Sequence, residues 1–434
     1  MDIKTLFNEF ISSDSLSACI QSFNILSDFM GGYTFHKIAM ESQHDLIAIL
    51  GKRMTDTAAS NRIVVSGAGP IGLRCAIEAA FLGHSVTLFE KESEFQDCYH
   101  LALWPETESD LRHLGLFEIY PDKKGLFKKD IQLGLLKIAL LAGVKIKVGT
   151  VICGVKDRIV WALPTVKSAK FFPQKPRSIV DGFMLPDSDA GAIRENCPLE
   201  FDAEIFSLDA LIIAEGESSS LVSNLGFKKK VSLFTDNVTV LIHCEKPKER
   251  HPLQVPPGFT YESVFKVSTK SEVVMITTRI TALLACKVLE AKDLESINKV
   301  KLDEFCSIIT QGSQVYSVKL YDTSIKTSLT ESSKIIENVL VLPVGDALSS
   351  QYWPLDLGIN KGLHGGLDAV WASHLYPKHE KELQFCQLMM DSVGWQYGDR
   401  PRKEYYEADP KNRYDWLKFA VFFKNKAMLP DRYL

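Results

Sequence analysis

The stretch RIVVSGAGPIGLRCAIEAAFLGHSVTLFEKE, Arg62 to Glu92, changes its periodicity twice. Ile63-Val64-Val65 is a short β-branched run, Pro70 to about Leu82 repeats apolar residues at helical spacing, and SVTLFE returns to strand-like composition. This order reads as a βαβ unit. Gly67, Gly69 and Gly72 stand between the first strand and the helix, with Pro70 and Ile71 opening the helix. That spacing suits a pyrophosphate. The first glycine permits a tight turn, the second lets backbone approach the phosphates, and the third lets helix pack on strand. The helix N-terminus adds partial positive charge. Glu90 ends the second strand, 18 residues beyond Gly72, where a carboxylate can accept hydrogen bonds from adenosine ribose hydroxyls. Its charge repels a 2′-phosphate, so NADP is disfavoured at this site while NAD and FAD both satisfy it.

Working outward, residues 1–60 read as helical: DIKTLFNEFISSDSLSACIQSFNILSDF has apolar residues at three- and four-residue steps, with Ser and Asp as caps. After the βαβ unit, DIQLGLLKIALLAGV is a helix leading into one strand, KIKVGTVICGV. Asp157 to Asp202 reads as loops with short strands. EIFSLDALIIAEGESSS is a buried strand running into a turn. From about Val231 to Ile325, VSLFTDNVTVLIHCE, ESVFKVST and EVVMITTRI suggest antiparallel strands, followed by a helix at DLESINKVKLDEFCSII. ENVLVLPVGDA is again a buried parallel strand. The expected architecture is α/β: a Rossmann-like dinucleotide-binding domain interrupted by a β-sheet insert on the substrate side, with helical segments at both ends. The expected divisions are residues 1–60 for the helical start, 61–230 for the first part of the nucleotide domain and 231–330 for the insert. Residues 331–374 form the second part and 375–434 a helical tail.

The totals narrow the function classes. A chain of 434 residues exceeds one hydrophobic core, and 46% hydrophobic with 24% charged residues is an ordinary globular composition. A net charge of −4 without a dense basic tract argues against a nucleic-acid partner. No apolar run reaches the roughly 18 residues of a membrane span. MDIKTLFNEFISSD carries charges where a signal peptide needs an apolar centre, so a cytoplasmic location is expected. Nine scattered cysteines without a C-x-x-C pair point to buried thiols, and no metal site is expected.

The choice between NAD and FAD turns on VLVLPVGDALSSQYWPLDLGINKGLHGGLDAVW, residues 339–371. Gly345 and Asp346 close a strand, and a Pro/Gly-containing turn then opens a helix near Leu357 and Gly358. FAD lies extended, so its ribityl chain needs a hydrogen-bonding group far from the glycine turn. Asp346 suits that role, and the helix beginning near Leu357 can aim its N-terminus at the flavin pyrimidine edge. The pair of motifs points to FAD.

These segments together resemble the flavin monooxygenase domain of the MICAL family, relatives of the aromatic hydroxylases. GAGPIGLRCAIEAAFLGHSVTLFEK, LALWPETESDLRHLG, IQLGLLKIALLAGVKI, GDALSSQYWPLDLGINKGLHGGLDAVW and DPKNRY each resemble a segment of that domain. LDALIIAEGESSS resembles the strand-and-turn motif that holds FAD and NADPH in these hydroxylases, with Glu215 replacing its Asp. The likeness is faint from about 150 to 330, and no counterpart of the family's actin-binding or zinc-bearing modules is seen. It implies an enzyme that reduces FAD with NADPH (or NADH) without a separate nicotinamide domain. Such an enzyme then spends dioxygen on oxygenating a substrate or on making hydrogen peroxide. It places Ile71, Glu90, Lys91, Glu92, Tyr99 and Asp346 at FAD-contact positions, and Trp353 beside the flavin ring. Actin is the protein substrate it implies. Actin-modifying domains of the family are basic, however, and a net charge of −4 works against steering toward an acidic filament.

The departures are acidic. Glu92 and Asp97 replace two arginines of the family pattern, and Tyr99 replaces an asparagine. In the second motif P-x-G-x-G has become Pro354-Leu355-Asp356-Leu357-Gly358, and Glu217 stands where relatives often place a basic residue. An Asp356 carboxylate about 5 Å from the charge of a reduced flavin, at an effective dielectric of about 20, repels it by roughly 3 kcal/mol. For a two-electron couple that lowers the potential by about 70 mV. Two readings therefore stand open: an active FAD-dependent monooxygenase or oxidase, and a catalytically weakened flavin-fold protein acting as a binding or effector module.

Overall fold

The structure, a computed structural model, describes residues 2–52 (without 33, 34 and 43), 61–121 (without 96–100 and 102), 126–165, 204–245 (without 234–236), 264–266, 273–281, 303–322 (without 305, 308, 309 and 311), 325–350 and 357–376. Tyr99, Asp97, Trp353, Asp356, the Pro/Ser-rich stretch from 166, the DPKNRY segment and, from 377, the tail expected to be helical lie outside the described residues.

Strands β1 (Arg62–Ser66) and β2 (Ser85–Glu90) flank helix α5 (Pro70–Phe81), as the glycine spacing requires. Together with β3 (Lys145–Val148), β7 (Ala210–Ile213), β14 (Lys334–Ile336) and β15 (Val339–Pro343) they form a six-stranded sheet in the order β14-β15-β7-β1-β2-β3. Its strands are parallel except for β14 at the edge. Side chains alternate between two apolar layers, as a pleat dictates. Ile63, Val65, Leu88, Ile212, Leu340 and Leu342 face a helical layer, while Val64, Phe89, Leu211, Ile213, Val339 and Val341 face the opposite side. There β4 (Thr150–Lys156), β5 (Ile159–Pro164) and β6 (Glu204–Ser207) form an antiparallel sheet, whose Ile152, Val155, Val160 and Ala162 pack on Phe89 and its neighbours.

KIKVGTVICGV is therefore two strands and not one. Gly149, at φ +67°, breaks it, and β3 and β4 go to different sheets. VSLFTDNVTVLIHCE divides likewise. β8 (Lys229–Leu233) pairs with β13 (Ile325–Leu329), while β9 (Asn237–Glu245) joins β10 (Val264–Lys266), β11 (Val273–Thr281) and β12 (Val315–Asp322) in the order β10-β11-β9-β12. Between β7 and β15 the described strands of the β-rich segment thus form two antiparallel sheets.

The helical start is four helices: α1 (Ile3–Ser12), α2 (Leu16–Phe29), α3 (Phe35–Glu41) and α4 (Asp45–Gly51). Asp2 caps α1 through the Thr5 N–H at 2.7 Å, and Ser15 caps α2 through the Ala18 N–H at 3.2 Å. Their apolar faces share one core with α5 and with α8 (Lys128–Leu141). Two helices that periodicity did not suggest, α6 (Pro105–His113) and α7 (Leu116–Ile119), follow the Trp104-Pro105 pair.

The helix Leu357–Leu375 crosses α5 closely. A β carbon on Gly366 would lie 2.7 Å from Cys75 Sγ, so only glycine allows this approach. An ion cluster lies between the same layers. Arg74 on α5 is fully buried and forks onto Asp110 of α6 (2.8 and 2.9 Å) while also donating to Glu78 (2.9 Å). Glu78 in turn accepts Trp371 Nε1 of the 357–375 helix at 3.2 Å. Burial alone disfavours the Arg74 charge, but Asp110 and Glu78 outweigh it and hold the guanidinium above its ordinary value. Of the described cysteines, Cys19, Cys75, Cys244 and Cys306 are buried and Cys153 is half-buried. Among the described residues no helix is long and apolar enough to cross a membrane.

Removing the cation leaves two carboxylates in an apolar layer. Arg74→Met is expected to cost about 3–5 kcal/mol in urea unfolding, because an uncompensated buried charge remains. A loss under about 1 kcal/mol would show that the cluster is incidental to stability.

Candidate functional site

The carboxyl ends of β2, β1, β7 and β15 lie side by side, and the residues singled out from the sequence sit on them. The parallel ladder runs past the strand ends into the turns: Gly67 N–H donates to Phe89 O (2.7 Å), Ala214 N–H to Ser66 O (2.7 Å) and Val344 N–H to Ile213 O (2.9 Å). Glu90, the glycine turn, Glu215 and the Gly345-Asp346 corner therefore occupy one edge in that order. At about 4.8 Å per strand, Glu90 and Asp346 are separated by roughly 15 Å. In open parallel sheets ligands bind along this edge.

Gly67 has φ +101°, and a β carbon there would strike Ala214 O at 2.5 Å. One on Gly72 would lie 1.9 Å from Gly67 O. Nothing lies within 4 Å of the position a Gly69 β carbon would take. Gly69 is the N-cap of α5, with Pro70 in the first turn, no side-chain cap and no acidic residue beside it. The N-terminus of α5 thus has open space beside Gly69, no capping side chain and no acid in its first turn, with the helix dipole behind it, an arrangement that fits an anion.

Glu90 is buried. Its Oε2 accepts the Ala68 N–H at 2.6 Å and its Oε1 the Glu92 N–H at 2.8 Å. Each oxygen keeps a second lone pair for a ribose hydroxyl. The side chains of Lys91 and Glu92 are exposed, with Lys91 Nζ 3.7 Å from Glu92 Oε1. The charge reversal at Glu92 therefore lies in solvent beside its own counter-charge, where Coulomb effects are weakened.

The second motif meets the first directly. Gly345 has φ +61° within a short 3-10 turn, Gly345–Ala347, and a β carbon there would lie 2.6 Å from Ile71 Cδ1. Ile71 thus packs over the Gly345 backbone. The 357–375 helix begins at Leu357, and Gly358 leaves room for the exposed Asp346 carboxylate, whose Oδ1 is 3.3 Å from where a Gly358 β carbon would stand. Trp104 N–H donates to Asn360 Oδ1 at 2.8 Å, tying the start of α6 to this helix. Of the residues singled out, Gly67, Gly69, Pro70, Ile71, Gly72, Glu90, Lys91, Glu92, Gly345, Asp346 and Gly358 are gathered on this edge; Tyr99, Trp353 and Asp356 lie outside the described residues.

Glu215 adds a buried acid between the motifs. Its carboxyl accepts the Ser66 hydroxyl of β1 and the Ser219 hydroxyl, at 2.7 Å, of the turn after β7. Part of the residue reaches the surface, but the carboxyl itself is enclosed. Burial pushes it up, against the two serines and the Lys91 charge, and the net direction is upward. The sequence did not indicate Ser66, Ser219 or Gln132, which donates to Ala68 O at 3.3 Å. A polar residue inside the apolar run IQLGLLKIALL was the signal available for Gln132.

No family model matches. The chain is 23% identical over 435 residues to the [F-actin]-monooxygenase mical2b of Danio rerio and 25% identical over 422 residues to [F-actin]-monooxygenase MICAL1 of Rattus norvegicus, covering 84% of this chain in each case. The chain is a sequence relative of the MICAL monooxygenases. It spans 24% and 39% of the length of those two MICAL proteins. Among solved structures, CmlS, a flavin-dependent halogenase, superposes with a TM-score of 0.56 at 14% identity over 87% of this chain and 67% of its own. The chain therefore shares its fold with that flavin-dependent halogenase.

A carboxyl that is raised on folding destabilises the native state once the unfolded chain ionises. The penalty grows as pH rises through the ordinary glutamate range and levels off above the folded value. Glu215→Gln is thus expected to melt higher than the parent at neutral pH, with the difference vanishing in acid. An unchanged or lower melting temperature at neutral pH contradicts this.

Proposed function

We propose that this chain is an FAD-dependent monooxygenase that takes electrons from NADPH or NADH. Hydrogen peroxide is its product when no substrate is oxygenated. The observation that carries the reading is the seating of Ile71, in the pyrophosphate turn, on Gly345, beside the ribityl-side Asp346. The two motifs thereby make one continuous edge. The open space beside Gly69 at the uncapped N-terminus of α5 supports an anionic pyrophosphate there.

In this reading Glu90 accepts the adenosine ribose hydroxyls, and the first N–H groups of α5 neutralise the pyrophosphate. Asp346 accepts from the ribityl chain, and the start of the 357–375 helix, at Leu357 and Gly358, turns its positive end toward the flavin. Bound there, the flavin supplies the two-electron chemistry linking a nicotinamide donor to dioxygen. Trp353 and Asp356 are the candidate residues beside its ring. A protein substrate is the finer proposal, and F-actin enters through the names of the relatives. The net charge of −4 gives no electrostatic steering toward an acidic filament.

Purified protein is expected to be yellow and to release FAD on denaturation, and anaerobic NADPH or NADH is expected to bleach it. Colour that persists with both donors rejects the monooxygenase reading and favours a flavin-fold binding module. Actin filaments incubated with enzyme and NADPH are expected to pellet less if actin is the substrate; unchanged pelleting assigns the activity elsewhere.

A further inference from the structure

The junction between α1 and α2 is gripped by two charges from the nucleotide-binding half of the chain. Glu94, on the segment leaving β2, accepts the backbone N–H groups of Leu16 (2.9 Å) and Ser17 (3.1 Å) and the Ser17 hydroxyl. Lys137 of α8, buried, donates from Nζ to the carbonyls of Ile11 (2.6 Å) and Ser13 (2.7 Å) at the end of α1. Each sign suits its helix end: a carboxylate meets the N–H end of α2, and an ammonium meets the C=O end of α1. Burial by itself raises the Glu94 carboxyl, but the bonds from Ser17 and Leu16 outweigh it and hold the group below its ordinary value.

Both contacts lead back to Glu90. The Glu92 N–H that holds Glu90 Oε1 lies two residues before Glu94, and Phe95 beyond it is buried in the core. On the other side, α8 carries Gln132 five residues before Lys137, about 7.5 Å along the helix. Gln132 donates to the carbonyl of Ala68, whose N–H holds Glu90 Oε2. The hairpin junction is thus linked to both donors that orient the Glu90 carboxylate.

We propose that the α1–α2 hairpin sets the adenosine end of the cofactor cradle, with Glu94 as the positioning residue that transmits its docking to Glu90. This rests on the FAD reading above. The test uses the full chain with Glu94→Ala, Glu94→Gln and Glu90→Gln, measuring FAD dissociation constants and backbone hydrogen exchange in cofactor-free protein.

Glu94→Ala is expected to weaken FAD roughly tenfold, the equivalent of one charge-assisted hydrogen bond. It is also expected to speed exchange in 90–95 as well as at 15–18. Glu94→Gln, which keeps an acceptor, should recover part of both effects. If Glu94→Ala speeds exchange only at 15–18 and leaves FAD affinity unchanged while Glu90→Gln weakens it, the positioning role is overturned and the cofactor site stands. A parent chain that takes up no FAD overturns the proposal together with the reading beneath it. Should Glu94→Ala fail to fold, Ser17→Ala removes one of the three bonds and is expected to show the same two changes in smaller measure.

Discussion

The parallel ladder that continues beyond the strand ends is the constraint on which the site depends. Gly67, Ala214 and Val344 are turn residues, yet each donates to the neighbouring strand as a ladder member would. The turns therefore leave the sheet at one level. Slipping one strand by a residue would move its turn about 3.3 Å and send its side chains to the opposite apolar layer. Alternation of Ile63 and Val65 against Val64, repeated in β7 and β15, makes such a slip costly because both faces of the sheet are buried. Local chemistry at the edge thus inherits its precision from packing far below it.

That edge concentrates acids where an anionic cofactor is proposed to lie, and the structure shows how two of them are contained. Glu90 is committed to the N–H groups of Ala68 and Glu92, so its charge is spent on the turn that shapes the cradle. Glu215 is enclosed with Ser66 and Ser219, and burial favours its neutral form. Glu92 points into solvent near Lys91. A surplus of acidic residues counted along the chain therefore overstates the field that a pyrophosphate at the α5 N-terminus would meet.

The helical layer behind the edge supplies stiffness. Arg74, Glu78, Asp110 and Trp371 join α5, α6 and the 357–375 helix through directional bonds, Gly366 lets that helix approach Cys75 of α5, and Ile71 of α5 packs on Gly345. Hydrogen bonds of fixed geometry and a steric minimum together leave little freedom to the helix whose N-terminus faces the proposed flavin.

Read from the residues alone, the chain already disclosed the βαβ unit, the glycine turn, the second glycine–aspartate corner and the order of α/β and β-rich segments. Each is encoded locally, in side-chain period or in glycines whose backbone other residues cannot adopt. It did not reveal that KIKVGTVICGV serves two sheets, since both halves are equally strand-like and only Gly149 marks the break. It was silent on Arg74 with Asp110, on Glu94 with Leu16 and Ser17, and on Lys137 with Ile11 and Ser13. Those partners are separated by 36 to 126 residues, and a charged side chain in an apolar run signals burial without naming what it meets. Pairing of distant charges and the seating of Ile71 on Gly345 are set by how helices dock on the sheet, which is a property of the packed chain alone.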